Sequence, residues 1–556
     1  MEQRPPYRPG VRDVARASVS ISPAGERFPL PRDEEYDGEL QRLQQLAAAH
    51  RAAGREIVVV MGVGFVGAIM AGVVADSVDR QTGQPGKFVM AMQRPSLRSY
   101  WKIPCLNRGE APVEAADPEV GPLIARTVLE KRTLTATFTY DALALADVVI
   151  VDVQCDYVKE ALGDMAKGHA DLAALEESFR VIGDRIPPHC LVLIETTVPP
   201  GTTEHIALPL IKHAFEARGL ADMPLLAHSY ERVMPGRHYV ASVRDFWRVC
   251  SGITAAARAR VVAFLSDVLN VAQYPLTVLD RPIESESCKV IENSYRATIL
   301  AFMDEWSLFA ERNGIDLVKV IAAIKVRPTH SNLLFPGPGI GGYCLPKDGA
   351  LGMWADQNIL GGTADGLPLT TAAININDTR SLHAAALVQA ALDAIGRSVA
   401  GTPILLCGAS YREDVGDTRY SGSELIVRKL VEAGAVLRIH DPYLEHWYEL
   451  ENQEDYPAKG QSRARFFKNQ GAVPALRIDR DLGHALAGVQ AVILAVRHAP
   501  YLALEPDWLV QQAGGPVALL DCFGLLSDAA IRRYFALGCE VRCLGRGHLG
   551  ALRRAG

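Results

Sequence analysis

The chain has 556 residues, of which 49% are apolar and 22% charged, and its formal net charge is −6. This composition is typical of a globular protein and excludes a mainly disordered, collagen-like or coiled-coil chain. A single hydrophobic core rarely grows beyond about 300 residues, so the length predicts several domains. An acidic balance is unusual for a dedicated nucleic-acid binder, and we expect no nucleic-acid partner.

The ten cysteines are scattered and form no paired CxxC motif, so we predict neither a disulfide scaffold nor a metal site. This usage favours a reducing cytoplasm. Residues 57–75 are uncharged and long enough to span a bilayer, but Gly62, Gly64 and Gly67 interrupt them. A strand, a glycine turn and a helix explain this stretch better, and we predict no membrane span.

Residues 1–55 are polar and end in a helical pattern at residues 33–54, which predicts an extension before the first domain. The sequence of this extension does not indicate its function. From residue 56 onward, β-rich runs alternate with helical stretches, which indicates parallel βαβ units. The strand candidates of this first domain are EIVVV, KFVMAM, DVVIVDV, CLVLIET and PLLAHSY. We expect the domain to end near residue 236.

The segment 237–395 differs, because apolar residues recur at helical spacing over residues 283–316. The positions predicted to share one face are Val290, Ile291, Ile299, Leu300, Phe302 and Met303. A long helix here would join two domains and supply a dimer face. A second α/β pattern follows at residues 396–556, with the strand candidates PILLCGAS, AVLRIHDP, AVILAV, VALLDCF and EVRCLG.

The run Gly62-Val63-Gly64-Phe65-Val66-Gly67 directly follows a β-rich run and opens a predicted helix. In such a loop the first glycine makes a tight turn and the second lets the backbone approach a pyrophosphate. The third allows close packing of helix and strand. The helix N-terminus then stabilises the anion. The run predicts a dinucleotide site, with a structural glycine turn as the alternative.

The next strand candidate lacks the acid that commonly binds the cofactor ribose. Gln93 stands in its place, and Arg94 and Arg98 follow. A glutamine can still form a hydrogen bond with a ribose hydroxyl, and the basic surroundings do not exclude a 2′-phosphate. The sequence therefore leaves the choice between NAD and NADP open.

Residues 336–348, PGPGIGGYCLPKD, combine several glycines with Cys344, Lys347 and Asp348. Glycines let a backbone wrap closely around a ligand. Cys344 is a candidate nucleophile, because Lys347 would favour its thiolate and Asp348 could hold water or accept a proton. A glycine-rich turn around a buried cysteine is the alternative that residue types alone leave open.

Several motifs, in matching order, resemble the UDP-glucose/GDP-mannose 6-dehydrogenase family. The segment GGYCLPKD resembles the family's nucleophile loop, and GVGFVG resembles its cofactor loop. The other matches are residues 195–202, residues 230–236, Glu286 with Lys289 and Asn293, residues 411–421 and residues 440–442. The resemblance extends over residues 56–550.

The resemblance implies an N-terminal Rossmann domain that binds NAD, a long central helix that builds a dimer, and a C-terminal domain that binds a sugar nucleotide. The predicted fold is therefore α/β, with two Rossmann-like domains joined by a long central helix and a helical dimerisation domain. The predicted divisions are an extension (1–55), a cofactor domain (56–236), a central domain with the cysteine loop (237–395) and a sugar-nucleotide domain (396–556).

The family reaction is a four-electron oxidation of a sugar C6 alcohol to a carboxylate, with two hydrides passed to two nicotinamides. An aldehyde is trapped on cysteine as a thiohemiacetal, oxidised to a thioester and hydrolysed. The resemblance makes Cys344 the nucleophile, and Lys289 with Asn293 would stabilise oxyanion charge. Asp348 would bind the water that accepts the first proton.

The resemblance makes Glu231 the residue that activates water for hydrolysis, with Thr197 orienting that water. The implied cofactor residues are Gly62, Val63, Gly64, Phe65, Val66, Gly67, Gln93, Arg98, Cys155, Thr196, Lys347 and Arg419. The implied substrate residues are Glu231, Arg232, Lys289, Asn293, Arg327, Phe335, Gly339, Gly341, Tyr411 and Arg412. Arg327 resembles an arginine that family members extend across the dimer into the neighbour's sugar site.

Several residues depart from the family pattern and predict a divergent member. Residues 153–156, VQCD, replace a V-x-T-P segment beside the cofactor, and Gln93 replaces the ribose acid, although Arg98 matches a basic residue five positions on. Tyr230 replaces a proline, Asp304 an asparagine and Arg412 a lysine. Arginine keeps the charge but changes the geometry of phosphate binding.

The predicted function is a cytoplasmic, nicotinamide-dependent nucleotide-sugar 6-dehydrogenase that makes a uronic acid for polysaccharide biosynthesis. Its expected partners are a UDP- or GDP-sugar and further copies of the chain, as a homodimer or higher even oligomer. CLPKD resembles the glucose and mannose branches, whereas RPTHSNLLFPGPG resembles the N-acetylhexosamine branch. The alternatives are a degenerate homologue that only binds a sugar nucleotide, and a two-electron alcohol dehydrogenase that does not need Cys344.

Overall fold

A computed structural model describes residues 19–113, 115, 117–233, 236–363, 366–451 and 462–554. Its strands are β1 (Val19–Ile21), β2 (Arg27–Pro29), β3 (Glu56–Met61), β4 (Lys87–Met92), β5 (Leu134–Thr137), β6 (Val148–Val151), β7 (Asp156–Lys159), β8 (Gly168–Asp171), β9 (Leu191–Ile194), β10 (Leu225–His228), β11 (Val249–Gly252), β12 (Thr277–Val278), β13 (Pro403–Cys407), β14 (Val436–His440), β15 (Ile478–Asp479), β16 (Ala491–Leu494), β17 (Ala518–Asp521) and β18 (Glu540–Cys543).

The helices follow in the same chain order. They are α1 (Asp33–Ala52), α2 (Phe65–Asp76), α3 (Lys102–Asn107), α4 (Val120–Ala125), α5 (Ala173–Arg185), α6 (Leu208–Ala217), α7 (Tyr239–Arg244), α8 (Ala255–Val268), α9 (Pro282–Arg312), α10 (Leu317–Lys325), α11 (Asp348–Asn358), α12 (Pro368–Ala394), α13 (Gly422–Glu432), α14 (Tyr448–Glu451), α15 (Leu482–Leu486), α16 (Ala499–Leu502), α17 (Pro506–Ala513), α18 (Asp528–Ala536) and α19 (Leu549–Arg554).

The first large sheet has eight strands in the order β12-β11-β10-β9-β6-β3-β4-β5. All neighbouring strands are parallel except β10 and β11. The central strands β3, β4, β6 and β9 are buried almost throughout, which explains why their sequences are continuous apolar runs. The five strand candidates of this domain are confirmed. The candidates omitted β5, which is rich in threonine, β11, whose sequence VCSG has no continuous apolar run, and β12, which has only two residues.

The second large sheet has six parallel strands in the order β15-β14-β13-β16-β17-β18. All five strand candidates of the C-terminal pattern form strands within it, and only the two-residue β15 was not anticipated. The predicted fold class, α/β with two Rossmann-like domains, is confirmed. In both sheets the loops after the carboxyl ends of parallel strands meet at one edge, where ligands of such sheets bind.

The described residues form two compact units. The first holds the chain up to Asp156, Ala170–Val290 and Asn358–Gly361, and the second holds Tyr157–His169, Ile291–Gln357 and the chain from Gly362 onward. The predicted divisions at residues 55, 236 and 395 stay a prediction. The first sheet runs two strands past residue 236, because β11 pairs with β10. Residues 1–18 and the Met234-Pro235 pair at that boundary lie outside the described residues.

Helix α1 confirms the helical pattern of residues 33–54 and packs on the first unit. Its Leu43 and Ala47 are buried. Arg42 donates to the Thr135 hydroxyl at 3.1 Å and to the Ala136 carbonyl at 3.2 Å, both on β5. The described part of the extension therefore contacts β5, the edge strand of the first sheet, through Arg42, while Asn107 of α3 binds the Ala136 amide and carbonyl at 2.7 and 3.1 Å.

Helix α9 runs over 31 residues, but its apolar residues do not share one face as predicted. Val290 and Met303 are buried, whereas Ile291 and Phe302 are 64% and 52% exposed. The prediction of one apolar face is wrong because consecutive apolar residues, such as Val290 and Ile291, lie about 100° apart around a helix. Val290 and Met303 therefore pack in the interior, whereas Ile291 and Phe302 belong to a separate exposed stripe.

Residues 57–75 form most of β3, the glycine loop and most of α2, as predicted. Among the described residues, no helix has both the length and the apolarity that crossing a bilayer requires.

Candidate active site

The glycine loop follows β3, and two of its glycines are required by the fold. Gly62 has a φ of +101°, and a Cβ there would lie 2.5 Å from the Asp152 carbonyl oxygen. A Cβ on Gly67 would lie 1.9 Å from the Gly62 carbonyl oxygen. By contrast, a Cβ on Gly64, the N-cap of α2, would meet nothing within 4 Å. The open approach to the first amides of α2 fits a dinucleotide pyrophosphate.

The other residues of the glycine loop are held from its sides. Phe65 stacks on Tyr239 with ring centroids 4.5 Å apart, and the Tyr239 hydroxyl donates to the Phe65 carbonyl. Val63 is buried and Val66 is half-buried. These contacts fix the loop from the protein side.

Gln93 follows β4, and its side chain reaches back to the glycine loop. Its Oε1 accepts a hydrogen bond from the Val63 amide at 2.9 Å. Lys102 donates from Nζ to the Val63 carbonyl at 3.0 Å. Arg98 is exposed on the turn before α3. The sequence missed Lys102, because the length of the turn between Gln93 and α3 decides which basic residue reaches the loop.

The segments after β6 and β9 lie side by side, because these strands are parallel neighbours. The amides of Glu195 and Thr196 donate to the Val151 carbonyl at 3.1 and 3.2 Å. Cys155 is buried, and Thr196 and Thr197 are half-buried. The predicted residues of both segments therefore occupy the carboxyl edge of the first sheet.

Three ionisable side chains, two of them buried, support this edge, and the sequence did not reveal them. Arg248 donates to Glu195 Oε1 at 2.5 Å, and both side chains are buried. Burial, then the nearby carboxylates of Glu195 and Glu231, raises the pKa of Asp152 well above its usual range. Burial also raises the pKa of Glu195, against the lowering effect of Arg248.

Glu231 follows β10 and forms an ion pair with Lys289 of α9. Lys289 Nζ lies 2.8 Å from the Glu231 carbonyl oxygen and 3.2 Å from Glu231 Oε1. The Val233 amide donates to Glu231 Oε2. The Arg232 guanidinium instead donates a hydrogen bond to the Tyr230 hydroxyl at 3.0 Å. The structure therefore brings together two predicted catalytic residues of the first unit.

A buried histidine helps to position the start of α9. His228 Nδ1 lies 2.7 Å from Ser285 Oγ, which in turn lies 2.7 Å from Ser251 Oγ. Burial, then the charge of Lys289, lowers the pKa of His228 to about 3. His228 is therefore neutral at physiological pH, and it links α9 to the sheet without adding a charge beside Lys289.

Glu286 links α9 to the loop after Thr197. Its carboxylate accepts from the amides of Gly201 and Thr203 at 2.6 and 2.9 Å and from the Thr203 hydroxyl at 2.6 Å. Burial raises the pKa of Glu286 to about 7, although these hydrogen bonds lower it. The side chain aligns the first turns of α9, and Lys289 follows three residues later.

Cys344 lies in the second unit, just before α11. Its carbonyl accepts from the amides of Lys347 and Asp348 at 3.1 and 3.0 Å. Cys344 and Cys288 are half-buried, whereas the other cysteines are buried. Partial exposure at the entry to a helix is typical of a reactive thiol rather than a structural one.

Asp348 is fully buried and receives two side-chain donors. Asn293 of α9 donates to its Oδ2 at 2.7 Å, and Lys347 Nζ lies 3.0 Å from its Oδ1. Lys347 also lies 4.6 Å from the ring centroid of Tyr343. The structure therefore places three predicted site residues, Asn293, Lys347 and Asp348, in one network beside Cys344.

The glycines before Cys344 allow close contact with the segment after β13. A Cβ on Gly341 would lie 2.3 Å from the Cβ of Tyr411, and Gly342 lies against the Tyr411 ring. Gly339 has a φ of +132°, and a Cβ there would lie 3.0 Å from Ser381 Oγ. Larger residues would push the loop away from this segment.

The remaining predicted residues of the second unit vary in their surroundings. The Arg419 carbonyl accepts a hydrogen bond from the Gly342 amide at 2.9 Å. The Arg419 guanidinium forms an ion pair with Asp417 at 2.7 Å. Phe335 is 37% exposed, Arg412 is half-buried and Arg327 is exposed. The geometry ties Arg419 to the cysteine loop.

One further cluster has the composition of a metal site, although the sequence predicted none. Ligand atoms of Asp316, Asp528 and His548 lie within 4.8 Å of one another. Lys319 Nζ and Arg546 Nη2 already lie 2.6 and 2.7 Å from Asp528. Because two cations neutralise these carboxylates, the cluster is an ion-pair network.

Comparison with known proteins identifies one family along the chain. The NAD binding domain of the UDP-glucose/GDP-mannose dehydrogenase family matches residues 56–263. Its central domain matches residues 283–379, and its UDP binding domain matches residues 405–528. The chain belongs to the UDP-glucose/GDP-mannose dehydrogenase family. It is therefore an NAD-dependent nucleotide-sugar dehydrogenase that acts on a CH–OH group, as the resemblance predicted.

Curated members of the UDP-glucose/GDP-mannose dehydrogenase family are distant relatives. UDP-N-acetyl-D-mannosamine dehydrogenase of Pyrococcus horikoshii is 28% identical over 61% of this chain and 75% of that protein. UDP-glucose 6-dehydrogenase of Rhizobium meliloti is 28% identical over 80% of this chain and 92% of that protein. These identities agree with the prediction of a divergent member.

A solved structure shares the fold. The crystal structure of NDP-N-acetyl-D-galactosaminuronic acid dehydrogenase from Methanosarcina mazei Go1 covers 92% of this chain and 98% of its own, with a TM-score of 0.71 at 25% identity.

Proposed function

We propose that the protein oxidises the C6 alcohol of a UDP-N-acetylhexosamine to a carboxylate in two steps, with Cys344 as the nucleophile. The observation that carries the proposal is the half-buried Cys344 beside the Asn293–Asp348–Lys347 network. UDP rather than GDP is favoured by the UDP binding domain. The N-acetylhexosamine class is favoured by the names of the Pyrococcus and Methanosarcina relatives.

Bound NAD would supply the hydride acceptor for the first oxidation, and a second NAD, exchanged for the NADH, would supply it for the second. The proton of the C6 alcohol passes to water held at Asp348, and the alcohol becomes an aldehyde. The Cys344 thiolate then adds to the aldehyde carbon and forms a thiohemiacetal. Loss of a second hydride and a proton gives a thioester. Water hydrolyses the thioester, which releases the carboxylate and restores the thiol.

The other residues supply charge and orientation. The Lys289 ammonium and the Asn293 amide are hydrogen-bond donors, and they stabilise negative charge on the sugar oxygen during each step. Glu231 accepts a proton from the hydrolytic water, with the Thr197 hydroxyl orienting that water. The ion pair between Glu231 and Lys289 keeps this carboxylate in a defined position.

The stoichiometry of cofactor reduction tests this function. A panel of UDP- and GDP-sugars with NAD should yield two NADH for each sugar consumed, with a UDP-N-acetylhexosamine as the best substrate. One NADH for each sugar would instead support a two-electron alcohol dehydrogenase. Sugar-nucleotide binding without any NADH would support the degenerate homologue.

The glycine loop allows a test of the cofactor site in which the fold is preserved. Gly64→Val should weaken NAD binding by about 100-fold or more, because the new side chain occupies the approach of the pyrophosphate. The thermal unfolding midpoint should hardly change, since a Cβ on Gly64 meets no protein atom within 4 Å.

Gly67→Ala is the matched control. It should destabilise the fold, since its Cβ would lie 1.9 Å from the Gly62 carbonyl oxygen. If folded Gly64→Val binds NAD with normal affinity, the cofactor does not bind at this loop.

The exposed stripe of α9 supports a homodimer. It consists of Ile291, Tyr295, Phe302, Trp306 and Phe309, each at least 43% exposed, at spacings that place them on one side of the helix. An apolar stripe of this length is typical of a protein interface. Trp306→Glu should shift the sedimentation coefficient to that of a monomer, whereas Trp508→Glu, at an exposed tryptophan of α17, should not. A wild-type monomer with full activity would contradict the dimer.

A further inference from the structure

We infer that the adenosine end of the cofactor site accepts a 2′-phosphate, so that the protein binds NADP as well as NAD. The inference concerns residues 93–102 and the glycine loop of the first unit. It does not depend on which sugar is oxidised or on the role of Cys344.

No carboxylate follows β4 at the position where it would repel a phosphate. In NAD-specific sites an acid at this point binds the ribose 2′-hydroxyl and repels a phosphate there. Here Gln93 is neutral, and its Oε1 is engaged by the Val63 amide at 2.9 Å. Residues 93–102, QRPSLRSYWK, contain no acidic residue. A 2′-phosphate would therefore meet no negative charge from this segment.

The same turn also carries a set of hydrogen-bond donors. The Ser96 and Ser99 hydroxyls lie 2.7 Å apart, and Gln93 Nε2 donates to Ser99 Oγ at 3.3 Å. Lys102 Nζ reaches the glycine loop itself, 3.0 Å from the Val63 carbonyl oxygen. Hydroxyl groups and an ammonium together provide the hydrogen bonds and the charge that a phosphate monoester requires.

Arg94 adds a guanidinium that can be redirected to the phosphate. It pairs with Glu177 at 3.1 Å, but their side chains are 55% and 44% exposed. Exposed ion pairs contribute little free energy, so a dianionic phosphate can compete for this guanidinium. The nearby carboxylate of Glu39 on α1 is already engaged by Arg42 at 2.7 Å. The charge balance of the turn therefore favours an additional phosphate.

Calorimetric titration of the full chain tests the inference without any sugar. ADP and adenosine 2′,5′-bisphosphate are compared at one salt concentration, and then NAD and NADP. We expect the bisphosphate to bind within about tenfold of ADP or more tightly, and NADP within about tenfold of NAD. Affinities for the bisphosphate and NADP that are more than 100-fold weaker would overturn the inference.

Three variants identify the residues that are responsible. Gln93→Asp keeps an acceptor for the Val63 amide and adds a carboxylate, so it should weaken NADP binding at least tenfold relative to NAD binding. Arg94→Ala should weaken NADP binding selectively, and its exposed position keeps the fold intact. Lys212→Ala, at an exposed lysine of α6, is the control and should change neither affinity. If neither Gln93→Asp nor Arg94→Ala changes the ratio of the NADP affinity to the NAD affinity, the assignment of the 2′-phosphate site to these residues is wrong.

The test separates this inference from the proposed oxidation. If no sugar is oxidised but the bisphosphate binds as expected, the proposed function fails and the 2′-phosphate site stands. If sugars are oxidised with NAD alone and the bisphosphate does not bind, the oxidation stands and the 2′-phosphate site fails.

Discussion

Cys344→Ser is expected to lower the rate of uronate formation by about 1,000-fold or more, because a serine alkoxide is much harder to form than a thiolate. The thiol is needed only after the first hydride transfer. The variant should therefore still bind NAD and the sugar nucleotide with nearly normal affinity. Separate measurements of uronate by chromatography and of both affinities by titration check this pattern. A serine is also close in size to cysteine, so the half-buried loop should keep its fold.

Cys288→Ser is the matched control for Cys344→Ser. Cys288 is the other half-buried cysteine, and it lies on α9 next to Lys289 in the sequence. A general effect of removing an accessible thiol would appear in both variants. If Cys344→Ser makes uronate at nearly the normal rate, the thioester mechanism through Cys344 does not apply.

The fold could be predicted because its central strands have a strong local signal. β3, β4, β6 and β9 are covered on both faces, so each is a continuous apolar run that a sequence pattern detects. β5, with the sequence LTAT, has no such run, since threonine occurs in strands and loops alike. The single apolar face predicted for α9 was wrong, because spacing alone does not distinguish side chains packed inside from those on an exposed stripe.

The site was predictable where motif spacing is rigid and not where a loop intervenes. Asn293 and Asp348 match short motifs, and the structure joins them at 2.7 Å. Lys102 was missed because the turn after Gln93 determines which basic side chain reaches the glycine loop. Asp152 and Arg248 were missed for a different reason. They lie far apart in sequence, and only the neighbouring strands bring them to Glu195.

Glu231→Gln is expected to stop the reaction after both hydride transfers and before hydrolysis. The amide keeps an oxygen that can accept from Lys289, which lies 3.2 Å from Oε1 in the wild type, so the position of the side chain should be retained. An amide cannot accept a proton from water, so the thioester should accumulate on Cys344. Rapid mixing with NAD should show a burst of two NADH per subunit, followed by turnover at least 100-fold slower than wild type.

Mass spectrometry of the intact protein decides whether the burst reflects a trapped thioester. The stalled Glu231→Gln protein should gain the mass of one acyl sugar nucleotide, and hydroxylamine should remove it. The double variant with Cys344→Ser should show neither the thioester nor the burst of two NADH. Glu216→Gln, which removes an exposed carboxylate from α6, is the control and should behave as wild type. Normal steady turnover of Glu231→Gln would contradict the assignment of Glu231 as the base, because a glutamine at this position retains the hydrogen bond to Lys289 but not the basic carboxylate.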